Sequence, residues 1–170
     1  MIDGYGRTID YVRISVTDRC NLRCVYCMPE EGVCSISHEE ILRFGEIERV
    51  CQILAENGIQ KIKLTGGEPL VRRRLPELAA ALKQIPGIKS LTITTNGVLL
   101  EEMYDALADA GVDSVTISLD TLDASVYRQL TRRDEIEAVR RGLRTAIQKG
   151  RMQIKINCVP VLGIEEQKLL

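Results

Sequence analysis

The sequence predicts an α/β fold, a partial (β/α) barrel that runs to about five strands. Three observations carry that prediction. Short β-branched runs alternate with helical patterns, the connections between runs are long, and every predicted strand alternates apolar with polar residues. Alternating strands and helices with long connections imply right-handed βαβ units and a parallel sheet. Parallel strands covered on both faces read as near-continuous apolar runs. Here only one face is apolar, so the other meets something wet or occupied. A two-layer α+β sheet with a solvated polar face fits that pattern too. A curved, partly closed barrel around a polar ligand fits better, because the loops after the strands carry TGGEP, TTNG and SLD, where α/β proteins build their sites.

The elements follow in order. YVRISVT (11–17) is the first strand. After Ser37, apolar residues at Ile41, Phe44, Ile47, Val50 and Leu54 have helix spacing, with a Ser37/Glu40 capping box at the start and Gly58 at the end. KIKLT (61–65) is the second strand, followed by a helix near 75–85; SLTITT (90–95) is the third, followed by a helix near 100–110. DSVTISL (113–119) is the fourth strand, a helix spans about 134–149, and MQIKINCV (152–159) is the fifth strand. Val12, Ile14, Ile62, Leu64, Leu91, Ile93, Val115 and Ile117 share the apolar parity; Arg13, Lys63, Thr94 and Lys155 belong to the polar one.

The 170 residues make one domain of ordinary globular composition, 45% hydrophobic and 28% charged. A net charge of −1 gives no cause for nonspecific DNA or RNA binding. No apolar run reaches the length of a membrane span, and MIDGYGRTID lacks the apolar core of a signal peptide. The expected location is the cytoplasm, where clustered cysteines are ligands or catalysts rather than disulfides.

DRCNLRCVYCMPEEG (18–32) places Cys20, Cys24 and Cys27 in a C-x3-C-x2-C array. A structural zinc site needs a fourth ligand, which Cys34 or His38 could supply. An iron–sulfur cubane held by three cysteines instead leaves one iron open to an external ligand. Spacing leaves both readings standing and favours the cluster. Cys51 and Cys158 read as small core residues.

CNLRCVYC after the first strand and TGGEP after the second resemble the radical S-adenosylmethionine (SAM) superfamily. DYVRISVTDRCNLRCVYCMP, KIKLTGGEPLVRR, TITTNG, SVTISLDTLD, LTRRD and IKIN, in that order, resemble more closely the GTP 3′,8-cyclase family of molybdenum-cofactor biosynthesis, and the likeness covers essentially the whole chain. The resemblance implies a [4Fe-4S] cluster on Cys20, Cys24 and Cys27 that binds SAM and cleaves it to methionine and a 5′-deoxyadenosyl radical. It implies SAM contacts from Tyr26, Gly66, Gly67, Glu68, Asn96 and Ser118, with the glycines admitting close backbone approach to the ligand and Glu68 or a backbone carbonyl accepting from the SAM ammonium. It implies GTP contacts from Arg13, Lys63, Thr94 and Lys155, converging on one lumen. The implied product is (8S)-3′,8-cyclo-7,8-dihydroguanosine 5′-triphosphate, with no catalytic side chain beyond cluster and SAM and with an electron donor as partner. Another radical SAM enzyme, peptide-modifying or deazaguanine-type, and a non-catalytic zinc-stabilised module are the alternatives.

Family members carry a second [4Fe-4S] cluster on three further cysteines, which Cys34, Cys51 and Cys158 are too scattered to supply. The expectation is an N-terminal radical SAM core (1–170), truncated after about five strands, that binds cluster and SAM without completing cyclisation. Its exposed last strand invites association, for example as a homodimer. Arg74 stands where relatives have Asp; Arg72, Arg73 and Arg74 are either solvated or guard an anionic mouth.

Overall fold

The computed structural model describes residues 2–33, 37 and 39–161. Five strands, β1 (Tyr11–Ser15), β2 (Lys61–Thr65), β3 (Ser90–Thr95), β4 (Ser114–Ser118) and β5 (Gln153–Asn157), form one open parallel sheet in the order β1-β2-β3-β4-β5. The helices are α1 (Phe44–Glu56), α2 (Leu75–Lys83), α3 (Leu100–Asp109), α4 (Ala124–Thr131) and α5 (Ile136–Lys149), with a 3-10 turn at Pro69–Val71. All the predicted strands are present, and together with the helices they make the expected partial barrel.

The apolar parity builds the core. Ile62, Leu64, Leu91, Ile93, Val115 and Ile117 are at most 1% exposed, in one cluster with Leu78 and Leu82 of α2, Leu100, Tyr104 and Leu107 of α3, and Val139 of α5. Burial of each such side chain contributes about 1.5–3 kcal/mol. Tyr104 also fixes where β5 begins: its hydroxyl accepts from the Arg151 and Met152 amides at 2.9 and 3.3 Å. The strands stand in register, so polar residues line up in rows: Arg13 beside Lys63 beside Thr92 beside Ser114, and Thr94 beside Thr116 beside Lys155.

Two helices depart from the sequence reading. The first begins at Phe44, not after Ser37. Ser37 and Glu40 do bond, Oγ to Oε2 at 2.8 Å, but they close a separate turn, and the reciprocal cap of α1 is the Arg43 amide on Glu46 Oε2 at 2.6 Å. Cys51 and Ile47 form its buried face, whereas Val50 is 45% exposed. The second is α4, absent from the sequence reading. The Asp123 carboxylate caps it by accepting from the Ser125 and Val126 amides at 2.9 and 3.1 Å, and Val126, Tyr127 and Leu130 bury its inner face. No described helix is long and apolar enough to cross a membrane.

Candidate functional site

The cysteine loop leaves β1 at Val16 and crosses the C-terminal ends of the strands. On its first flank it is bonded to the loop after β2: the Gly67 and Glu68 amides donate to Thr17 O and Arg19 O, each at 2.7 Å. A Cβ at Gly67 would lie 2.3 Å from Arg19 O, and one at Gly66 would lie 2.5 Å from Thr17 O. The space these glycines leave on their Cβ side is therefore filled by the cysteine loop itself, which packs the two loops together. Glu68 is 1% exposed. Its Oε1 accepts from the Leu70 amide at 3.0 Å and from Thr95 Oγ1 at 2.6 Å, and its Oε2 accepts from the Asn96 amide at 2.7 Å. Burial raises its carboxyl above the usual range while these donors oppose the shift. The carboxylate thus ties the loop after β2 to the end of β3, a structural duty the sequence reading did not assign.

On its second flank the loop is bonded to α4 and to the end of β4. The Arg23 and Val25 amides donate to Thr131 O and Leu130 O at 3.0 and 2.9 Å, so the loop satisfies carbonyls at the helix C-terminus. Arg132, in the left-handed conformation at φ 53°, donates through Nη1 to Arg23 O and Met28 O at 3.2 and 3.1 Å. The Tyr26 hydroxyl donates to Asp120 Oδ2 at 2.6 Å, and Asp120 Oδ1 accepts from the Val159 amide at 2.9 Å. Burial first, and then the Asp120 carboxylate, push the Tyr26 hydroxyl pKa upward.

Between these flanks stand the three thiols. Cys20 and Cys24 are half-buried and Cys27 is exposed. The Cys27 and Met28 amides both donate to Cys24 O, at 2.9 and 3.1 Å, closing a tight turn. Burial, followed by the Cys20 and Cys27 thiols, pushes the Cys24 thiol up to about 11. Cys24 therefore carries its proton at neutral pH, and ligation of a metal would have to displace it. Among the described residues no three His, Cys, Asp or Glu side chains stand close enough to hold a metal ion. Cys34 and His38 lie outside the described residues. Cys51 is buried in α1, and half-buried Cys158 donates through Sγ to Asp120 O at 3.4 Å.

Cys24, Tyr26, Asn96 and Ser118 line one small cleft with Leu22, Asp120, Tyr127 and Leu130. Asn96 serves the turn as well: Oδ1 accepts from the Val98 amide at 3.1 Å, while Nδ2 donates to Asn21 Oδ1 at 2.7 Å and lies 3.9 Å from Cys20 Sγ. The four residues expected to meet GTP share the polar face but form two pairs. Arg13 adjoins Lys63 across β1 and β2, and Thr94 reaches Lys155 through Thr116. Strand spacing puts about 14 Å between β2 and β5. Lys155 instead lines a groove with Thr92, Ser114 and Gln153.

The arginine run is neither simply solvated nor uniform. Arg72 donates to Val16 O and Leu42 O and lies over the Phe44 ring at 4.5 Å, whereas Arg74 pairs with Glu77. Asp120, Arg132 and Tyr127 are site residues that the sequence reading missed. Their signals were present in SLD, in LTRRD, and in the Val126/Tyr127/Leu130 spacing behind a capping Asp123.

The family model of the radical SAM superfamily matches residues 14–170. GTP 3′,8-cyclases of Pelotomaculum thermopropionicum and Petrotoga mobilis are 51% and 47% identical over 100% and 99% of the chain, which covers 52% of each. The chain thus spans about half the length of the curated relatives it matches. Methylornithine synthase has a similar fold, with a TM-score of 0.73 at 20% identity over 92% of this chain and 47% of that one.

Proposed function

The chain belongs to the radical SAM superfamily, and from that premise we propose that its cysteine loop holds a [4Fe-4S] cluster that binds SAM, serving the conversion of GTP to its 3′,8-cyclised product in molybdenum-cofactor biosynthesis. The observation that carries this reading is the loop itself. Its two flanks are bonded to the β2 loop and to α4, and three thiols in a C-x3-C-x2-C array stand between them. Three thiolates complete a cubane with one iron left open, whereas a closed zinc site needs a fourth ligand. Cys20, Cys24 and Cys27 are the proposed ligands. When bound, cluster and SAM supply reductive cleavage of the sulfonium, with the electron coming from an external donor.

The chain's own residues orient and shield that chemistry. Asn96 and Ser118 offer an amide and a hydroxyl to SAM, and Tyr26 offers a ring face. Because the Glu68 side chain is bonded inward, its contribution and those of Gly66 and Gly67 come through backbone carbonyls. Arg13 and Lys63 on one side, and Thr94 and Lys155 on the other, offer cations and a hydroxyl to the nucleotide.

Anaerobic iron–sulfide reconstitution followed by EPR of the reduced protein, with and without SAM, tests the reading. A reduced cubane signal that shifts on adding SAM is expected. A colourless protein holding one zinc per chain would overturn it.

A further inference from the structure

Tyr127 is 3% exposed, and its hydroxyl has no hydrogen-bond partner among the described residues. Buried hydroxyls are almost always bonded, because one left unmet loses its hydration for nothing. Phenylalanine would fill the same space without that loss, so the hydroxyl calls for a partner that arrives from elsewhere. Tyr127 lines the cleft shared by Cys24, Asn96 and Ser118. The other polar groups there are largely engaged. Tyr26 and Asp120 bond to each other, Asn96 Nδ2 bonds to Asn21, and Thr131 Oγ1 bonds to Tyr127 O and Arg133 O. Leu22 and Leu130 supply apolar wall. Cys24 shares this cleft with the hydroxyl: after burial its thiol is the largest influence raising the Tyr127 pKa, ahead of Glu135 and Cys20, while the Thr131 side chain lowers it.

We propose that Tyr127 Oη donates a hydrogen bond to a sulfur of the cluster held by Cys20 and Cys24, and so raises the potential at which that cluster is reduced. The inference rests on the cluster reading above. The physical reason is charge: reduction adds an electron to the cluster, and a donor aimed at its sulfur stabilises the more negative state. The burial of this one hydroxyl is then a cost carried by the empty scaffold and offset once the inorganic group is in place.

Tyr127→Phe is the test, read in two ways. In cluster-free protein the variant melts above wild type, by about 2–4 °C, because an unmet buried hydroxyl is gone. A lower melting temperature means the hydroxyl already has a partner within the protein, which overturns the proposal. In reconstituted protein, an EPR-monitored redox titration gives a more negative midpoint potential for the variant, with the SAM Kd within twofold of wild type. An unchanged potential overturns the proposal, and an unchanged potential with a Kd raised tenfold assigns the hydroxyl to SAM. A wild type that takes up no cluster sinks the reading of the previous subsection and this one with it, whereas a normal wild-type cluster with an unmoved potential in the variant sinks this one alone.

Discussion

The rim of the sheet and its polar face use their polar side chains in opposite ways. At the rim, Glu68, Asp120 and Arg132 aim their charged groups at backbone amides, carbonyls and hydroxyls of the same chain. On the face, Lys61 pairs with Asp10 at 2.8 Å, but Arg13, Lys63 and Lys155 have no carboxylate partner among the described residues. Polar groups that are internally bonded define a shape; cations left to water define a preference for whatever anion comes. The rim is thus a finished frame and the face is half of an interaction. Substitutions at the rim should cost stability, and substitutions on the face should cost binding.

Gly67→Ala gives the largest effect. The added methyl would meet Arg19 and Asp18 backbone within 2.7 Å, and a backbone clash there destabilises by about 3 kcal/mol or more. Urea unfolding measures it, and a neutral result would show that the two loops are not braced against each other. Asp120→Ala follows, at about 2 kcal/mol, since it leaves the Tyr26 hydroxyl and the Val159 amide without their acceptor. Hydrogen exchange should then quicken over residues 20–28 while β2 and β3 stay protected, and uniform quickening would sink the idea of a local latch. The smallest stability change is expected for Lys63→Met and Lys155→Met, within about 0.5 kcal/mol. The same two variants should weaken GTP binding by roughly 10- to 100-fold, the worth of a charge-assisted contact to phosphate. Calorimetric titration with GTP decides it, and unaltered affinity would remove the face from the nucleotide site.

The division between rim and face also marks what the sequence disclosed. Strands were legible because alternation is local: Ile62, Leu64, Leu91 and Ile93 announce a buried face whatever the rest of the chain does. The three thiols were legible from spacing alone. Glu68 was found, but its structural duty was not legible, since nothing in GGEP tells that its carboxylate will bond to Thr95 and Asn96. Asp120 and Arg132 were passed over because their partners, Tyr26 and Arg23, lie 94 and 109 residues away, beyond any periodic signal. The helix at Ala124–Thr131 was lost for a different reason, its eight residues making barely more than two turns, a window too short for the pattern to stand out from the loops around it. Ser37 and Glu40 gave the right local chemistry at the wrong boundary, because a capping pair closes a lone turn as readily as a helix.

Strand neighbours in this sheet are also neighbours in sequence, so a chain emerging from the ribosome can add each strand to an edge already made. The thiols do not share that advantage. Cys20, Cys24 and Cys27 emerge with the first strand, yet the groups that shape their loop, Asp120, Leu130, Thr131 and Arg132, are synthesised about a hundred residues later. Until the fourth strand and its helix have docked, three thiols sit on an unframed segment, open to oxidants and to stray soft metals. An inorganic group proposed for this loop would therefore be acquired late in the life of the chain, with the order of synthesis, beside affinity, setting when the loop becomes selective.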